Sequence, residues 1–325
     1  LSVYDAKGRL MLSYSAKPEE IEEIPSPVLP AEDPENIRTV EELYLTARHI
    51  EQYRHATYEP DAYYLEGLKR DPDDIRINTA YGLLLLRRGC FAESEVYFRT
   101  AIRRLTWKNP NPYDSEAYYN LGLSLWYQGR EEAAFDAFYK AAWTAAQQEM
   151  SFYYLALIAA RKGNTEEALS HADRSLVKNS RNMKARALYA MLLRKLGKDG
   201  KAVEFLKENL ETDPFDYVSR FEFSFQDPSQ KDLFLKLAGE KQSVYIEAAS
   251  DYAEAGFYKE AVQILRLSPV KGPLIKYYEA YYSDKLGNRS AVSEALAAAS
   301  SASSAYCFPN RLEDIAVLRF AISSS

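Results

Sequence analysis

The sequence predicts an all-α chain, an α-solenoid of stacked helix-turn-helix hairpins with a short β-hairpin ahead of it. Three observations predict this. Four stretches align on Gly89, Gly129, Gly163 and Gly197, spaced 40, 34 and 34 residues apart. Small residues recur at fixed offsets from those glycines, and apolar residues between them follow the helical period. At 325 residues a globular chain would suggest about two domains, but a stacked array grows without a single core.

In chain order, residues 1–16 come first. Val3-Tyr4 and Leu10 to Leu12 are short apolar runs around Asp5-Ala6-Lys7-Gly8, the pattern of a β-hairpin turn. A lone hairpin is marginally stable, and the chain begins on Leu1 rather than methionine, so this segment reads as the remnant of an upstream β domain. Residues 17–37 read as an acidic, proline-rich linker. From Lys17 to Glu42 nine acids stand against Lys17 and Arg38, giving −7 of the chain's formal −6, and five of its 14 prolines fall there. Prolines at that density favour an extended tether.

Residues 38–304 form the repeat array. Seven residues before each turn glycine stand Gly82, Gly122, Ala156 and Ala190, where two helices must approach closely. Five after stand Ser94, Ala134, Ala168 and Ala202; nine after, Phe98, Phe138, Ala172 and Leu206. Weaker copies surround Gly67, Gly256 and Gly287, and two short segments split by Pro228 read as a degenerate hairpin between Tyr217 and Lys241. Residues 305–325 hold a partial further helix or cap. Leu312, Ile315, Leu318 and Ile322 give it an apolar face with no partner helix after it, so it is expected to self-associate or to cap its own array.

This period and these small-residue slots resemble the tetratricopeptide repeat, or TPR. The usual early Trp is absent, and Ser94, Ser175 and Asn209 depart from the pattern. The stretches EELYLTARHIEQYRHATYEPDAYYLEGLKRDPDD and NPNPYDSEAYYNLGLSLWYQGR are also similar to large bacterial proteins that join a mutarotase-like β-sandwich to a TPR array. That resemblance implies that the opening hairpin ends such a sandwich. It implies no particular activity.

Chemistry has little to build on. Cys90 and Cys307 cannot form a disulfide framework or a tetrahedral zinc site and are expected to pack in the interior, and His49, His55 and His171 stand at no ligand spacing. Glu131-Glu132 and Glu166-Glu167 open second helices, where carboxylates favour the positive end of the helix dipole. Phosphate-loop, dinucleotide and nucleophile-elbow motifs are missing. No enzyme, metal or cofactor is expected, and an acidic chain without a basic run disfavours nucleic acid. The longest apolar run, Ala80 to Leu86, is far short of the roughly 18 residues of a membrane helix, and a cytoplasmic location is expected.

Function is then sought on the inner face of the array. The stripe 13, 10, 6, 3 and 2 residues before each turn glycine should line it. It reads Arg76, Thr79, Leu83, Leu86 and Arg87, then Glu116, Tyr119, Leu123, Trp126 and Tyr127. Met150, Tyr153, Leu157, Ala160 and Arg161 follow, then Lys184, Ala187, Met191, Arg194 and Lys195. Six cations against Glu116 suggest a groove for an extended acidic peptide, from a partner, the upstream domain or the chain's own linker. The alternatives are an accessory module whose Tyr119, Trp126, Tyr127 and Tyr153 stack on carbohydrate, and a spacer or dimerisation arm. The six-residue excess between Gly89 and Gly129 falls near Trp107 and Tyr113, at the corners of a proline-stiffened surface loop that is expected either to plug a repeat junction or to contact a ligand.

Overall fold

The computed structural model describes residues 1–17, 29–53 and 57–324. It divides into two compact units, Leu1–Arg38 and Thr39–Ser325. In the first, β1 (Ser2–Tyr4) pairs antiparallel with β2 (Leu10–Ser13), Val3 opposite Leu12. Asp5 holds the turn by accepting from the amides of Lys7 and Arg9, and Gly8 takes the left-handed φ of +79° that the turn requires. Most of the proline-rich linker, residues 18–28, lies outside the described residues.

The second unit is helical throughout its regular structure. Its hairpins are α1 (Val40–Tyr53) with α2 (Pro60–Arg70), α3 (Ile75–Arg87) with α4 (Phe91–Leu105), α5 (Glu116–Tyr127) with α6 (Glu131–Ala141), and α7 (Gln148–Arg161) with α8 (Thr165–Lys178). After them come α9 (Met183–Lys195) with α10 (Asp199–Thr212), α11 (Tyr217–Phe223) with α12 (Ser229–Ala238), α13 (Gln242–Glu254) with α14 (Tyr258–Leu267), and α15 (Pro273–Lys285) with α16 (Arg289–Ser301). A further helix, α17 (Leu312–Ser324), follows them. The two helices of each hairpin pack on one another, the arrangement of an α-solenoid of TPR-like hairpins. None of the helices among the described residues is long and apolar enough to cross a membrane.

Local chemistry explains why the hairpins form. Asp74, Asn182, Asp216 and Asn288 cap helix starts by accepting from the amide three residues on. Six of the hairpin turns close on a left-handed glycine, at Gly89, Gly129, Gly163, Gly197, Gly256 and Gly287: at Gly129, φ is +73°, its amide donates to the Trp126 carbonyl, and that of Arg130 donates to Leu125. Nothing lies within 4 Å of a β-carbon added there, so Gly129→Ala is expected to lose only the backbone term, roughly 1–2 kcal/mol by chemical denaturation.

The slots inferred from sequence meet one another. A β-carbon on Gly82 would stand 2.8 Å from the Phe98 ring, and one on Gly122 would stand 2.6 Å from that of Phe138. In the next two units Ala156, Ala172, Ala190 and Leu206 are fully buried at the same positions. Both cysteines are free and only half-buried, Cys90 because it precedes α4 at a turn and Cys307 because it lies in the loop before α17, which corrects the expectation that they are interior.

The short α11–α12 pair changes the path of the array. With only seven residues in α11, α13 comes back against earlier helices: Arg161 Nε of α7 donates to the Glu254 carbonyl at 2.7 Å, and Lys184 of α9 pairs with Asp251 at 2.8 Å. Later hairpins therefore contact earlier ones directly, and α17 touches both.

Candidate functional site

The inner face is built by first helices of hairpins that lie far apart in sequence. One cleft, about 330 Å³, is walled by α5, α7, α13, α15 and α17 together. Within it the first turn of α17 is held by two phenols. Tyr127 of α5 donates its hydroxyl to Glu313 at 3.0 Å, and Tyr278 of α15 donates to Asp314 at 2.6 Å. The second oxygen of Asp314 accepts from the amides of Asn310 and Arg311, so this buried carboxylate starts its own helix and has three donors. Burial and the neighbouring Glu313 carboxylate push the Tyr127 phenol well above its usual value, which keeps it a donor; burial does the same at Tyr278.

Apolar contacts hold the body of the helix. Leu312 and Ile315 pack on the core of the first hairpins, Val317 is 1% exposed in the core of the later ones, and the Phe320 ring centroid lies 5.5 Å from that of Tyr281. Ile315 comes so close to Gly89 that a β-carbon there would stand 2.4 Å away. A single helix thus touches the second hairpin and the eighth.

The cationic stripe is in place but compensated. Arg76 pairs with Glu41 at 2.5 Å, Arg87 with Glu51, Arg161 with Glu131 at 2.6 Å and Lys184 with Asp251 at 2.8 Å. Arg194 pairs with Glu222 and Lys195 with Glu260, both at 2.5 Å. The excess of +5 counted along first helices is therefore cancelled by acids from other elements, which corrects the expectation of a basic groove. Burial draws the Lys184 ammonium down, but Asp251 and Glu254 beside it hold it above its ordinary range.

The proposed sugar platform is corrected too. Trp126 is 7% and Tyr153 3% exposed, Tyr127 stacks on Phe91 at 5.0 Å between centroids, and Tyr119 meets Phe138 and Tyr154. Their faces are covered by other rings of the core, and Arg161 lies 4.1 Å over that of Trp126. Thr79 bonds back to its own helix at Ile75, Leu83 and Leu123 are half-buried against the core, and Glu116 is exposed. Trp107 and Tyr113 are exposed; Tyr113 borders a cleft with Trp143, and Trp107 sits between Arg104 and Lys108.

Sequence reasoning missed Ser250, Glu254, Tyr278, Tyr281 and Glu313. Ser250 and Glu254 stand six and two residues before Gly256, and Tyr281 six before Gly287, so extending the stripe to the weaker repeats would have found three of them.

The tetratricopeptide repeat family matches residues 115–142, the span of α5 and α6. Among solved structures, the chain is similar to a tetratricopeptide repeat protein from Parabacteroides merdae ATCC 43184, at 13% identity over 87% of this chain and 98% of that one, with a TM-score of 0.51. MamA is 19% identical over 53% of this chain and 88% of its own, with a TM-score of 0.45. YrrB, described as a TPR protein with an unusual peptide-binding site, is 16% identical over 71% and 96%, with a TM-score of 0.41. The fold is that of a TPR array.

Proposed function

We propose that the array is a protein-interaction scaffold whose inner groove receives a short helix with an acidic first turn and an apolar body. The observation that carries this reading is α17 itself, a segment of that chemistry seated across the second to eighth hairpins. Acidity is read by the hydroxyls of Tyr127 and Tyr278 rather than by a cationic clamp, because the cations of the stripe already have partners. A partner segment would replace α17, so the helix would act in cis as the competitor of a ligand in trans.

A synthetic peptide spanning residues 310–324, labelled with a fluorophore, tests this reading. It is expected to bind the full chain carrying Val317→Asp, in which α17 is dislodged, at least about tenfold more tightly than the unaltered chain. A peptide with Glu313→Gln and Asp314→Asn should bind more weakly than the parent. Equal binding of the parent peptide to both chains would contradict the proposal.

A further inference from the structure

The cleft walled by α5, α7, α13, α15 and α17 meets a second one, about 380 Å³, beside the start of α17. Two carboxyl groups line both: Glu254, on the last turn of α13, and Glu313, on the first turn of α17. They are half-buried and meet across the seam between the array and α17, so the charge on one is felt by the other.

The cations around this pair are already spent. Lys184 of α9 pairs with Asp251, and Arg161 of α7 pairs with Glu131 and donates to the Glu254 backbone carbonyl. Arg311 pairs with Glu247, and Lys285 of α15 lies 4.9 Å over the Tyr281 ring. No cation stands within ion-pair distance of the Glu254 or Glu313 carboxylate among the described residues. Glu313 has the Tyr127 hydroxyl as its donor at 3.0 Å. The other groups facing Glu254 are the phenols of Tyr127 on α5, Tyr153 and Tyr154 on α7 and Tyr282 on α15, and Asp251 on its own helix. Burial holds each phenol well above its usual range, so all four stay neutral.

Two carboxylates in a half-buried seam without a counter-ion repel, and a proton on one of them relieves the repulsion. We propose that Glu254 is a proton-operated latch on α17: protonated, it lies beside Glu313 without repulsion and the helix stays in the groove, and ionised, it repels Glu313 and the groove opens. The latch rests on the reading of α17 as the competitor of a partner segment, and it sets the balance of that competition.

The direction of the pH dependence follows from which state holds the proton. With α17 docked, burial pushes the Glu254 carboxyl from 4.5 up to about 7; Asp251 and Glu313 add to this, and Lys184 and Arg161 oppose it. When α17 leaves, Glu254 loses Glu313 and gains water, so its carboxyl returns toward 4.5 and docking is coupled to proton uptake. Docking is therefore strongest on the acid side, weakens as pH rises toward 7 and levels off above it. If α17 supplied the whole displacement, docking would weaken about tenfold from pH 6 to pH 8. The array buries Glu254 on its own account and Asp251 remains, so about threefold to fivefold is expected.

Hydrogen exchange of the full chain at pH 6 and pH 8, expressed as protection relative to the intrinsic rate at each pH, tests the latch. Protection of amides 313–324 is expected to fall about threefold to fivefold between the two, with α3 to α10 unchanged. Glu254→Gln, neutral at both pH values, should leave α17 as protected at pH 8 as at pH 6. Glu313→Gln keeps an acceptor for Tyr127 and should flatten the profile in the same way, which covers the case of a Glu254 variant that misfolds and loses protection in α3 to α10. Constant protection of α17 in the unaltered chain, or a fall of the same size in a folded variant, overturns the inference. The readout is α17 in its own chain with no peptide added, so this failure is distinct from a failure of the labelled peptide to bind the groove.

Discussion

Val317→Asp is expected to expel α17 from the groove while the hairpins stay folded. Val317 is 1% exposed in the core around Tyr278 and Tyr282, so an aspartate there places a charge among apolar and phenolic side chains. Such a substitution costs on the order of 4 kcal/mol. The α17 helix follows the last hairpin and can leave without breaking any hairpin pair, so local release is the least costly response. Hydrogen exchange should show protection of amides 313–324 falling by about a thousandfold, with α3 to α10 unchanged. Unaltered protection of α17, or simultaneous loss in α3 to α10, would contradict a separable helix in a preformed groove.

Gly122→Leu is expected to be the most destabilising single change among the hairpins. The first added carbon alone would stand 2.6 Å from two atoms of the Phe138 ring, and Phe138 is itself fully buried. Neither α5 nor α6 can retreat without parting from its neighbours, so the loss should reach about 3 kcal/mol in a urea titration. Phe138→Ala, destabilising alone by about 3–5 kcal/mol, should be less so in the Gly122→Leu background, because the leucine enters the space the ring has left. Additive losses would show that these positions do not face one another.

That contact was legible in the sequence because it is local. Gly122, Gly129 and Phe138 lie within one hairpin, and a small residue, a left-handed turn and a large residue at fixed offsets describe one geometric unit. The compensation of the stripe was not legible in the same way. Arg161 meets Glu131 thirty residues back and the Glu254 carbonyl ninety-three residues on, a separation that the 34-residue period does not announce. Counting charge along first helices alone left out their partners on other elements.

The tyrosines show the same division. The chain has 26, and the stripe pattern offered Tyr119, Tyr127 and Tyr153 as rings that stack on a ligand. Many are inner rings whose hydroxyls reach acids across the array: Tyr64 reaches Glu51, Tyr252 reaches Glu222 and Tyr278 reaches Asp314. A phenol is apolar enough to fill a helix interface and long enough to donate at its far side. Which acid it meets depends on which helices come together. The apolar face of residues 312–322 was readable from spacing, yet its destination was not, since the groove that covers it is assembled from helices spread over some two hundred residues.

The central claim, that α17 occupies the groove of its own chain, is tested most directly by cross-linking. Cys90 and Arg319 line one cleft, where α17 passes the turn between α3 and α4. In a chain carrying Arg319→Cys and Cys307→Ser, a short bismaleimide should join residues 90 and 319 within a single chain, at dilute concentration, and peptide mass mapping would identify the bridge. Adding Val317→Asp should abolish it. Cross-links formed only between chains, or none in the chain that retains Val317, would contradict the claim.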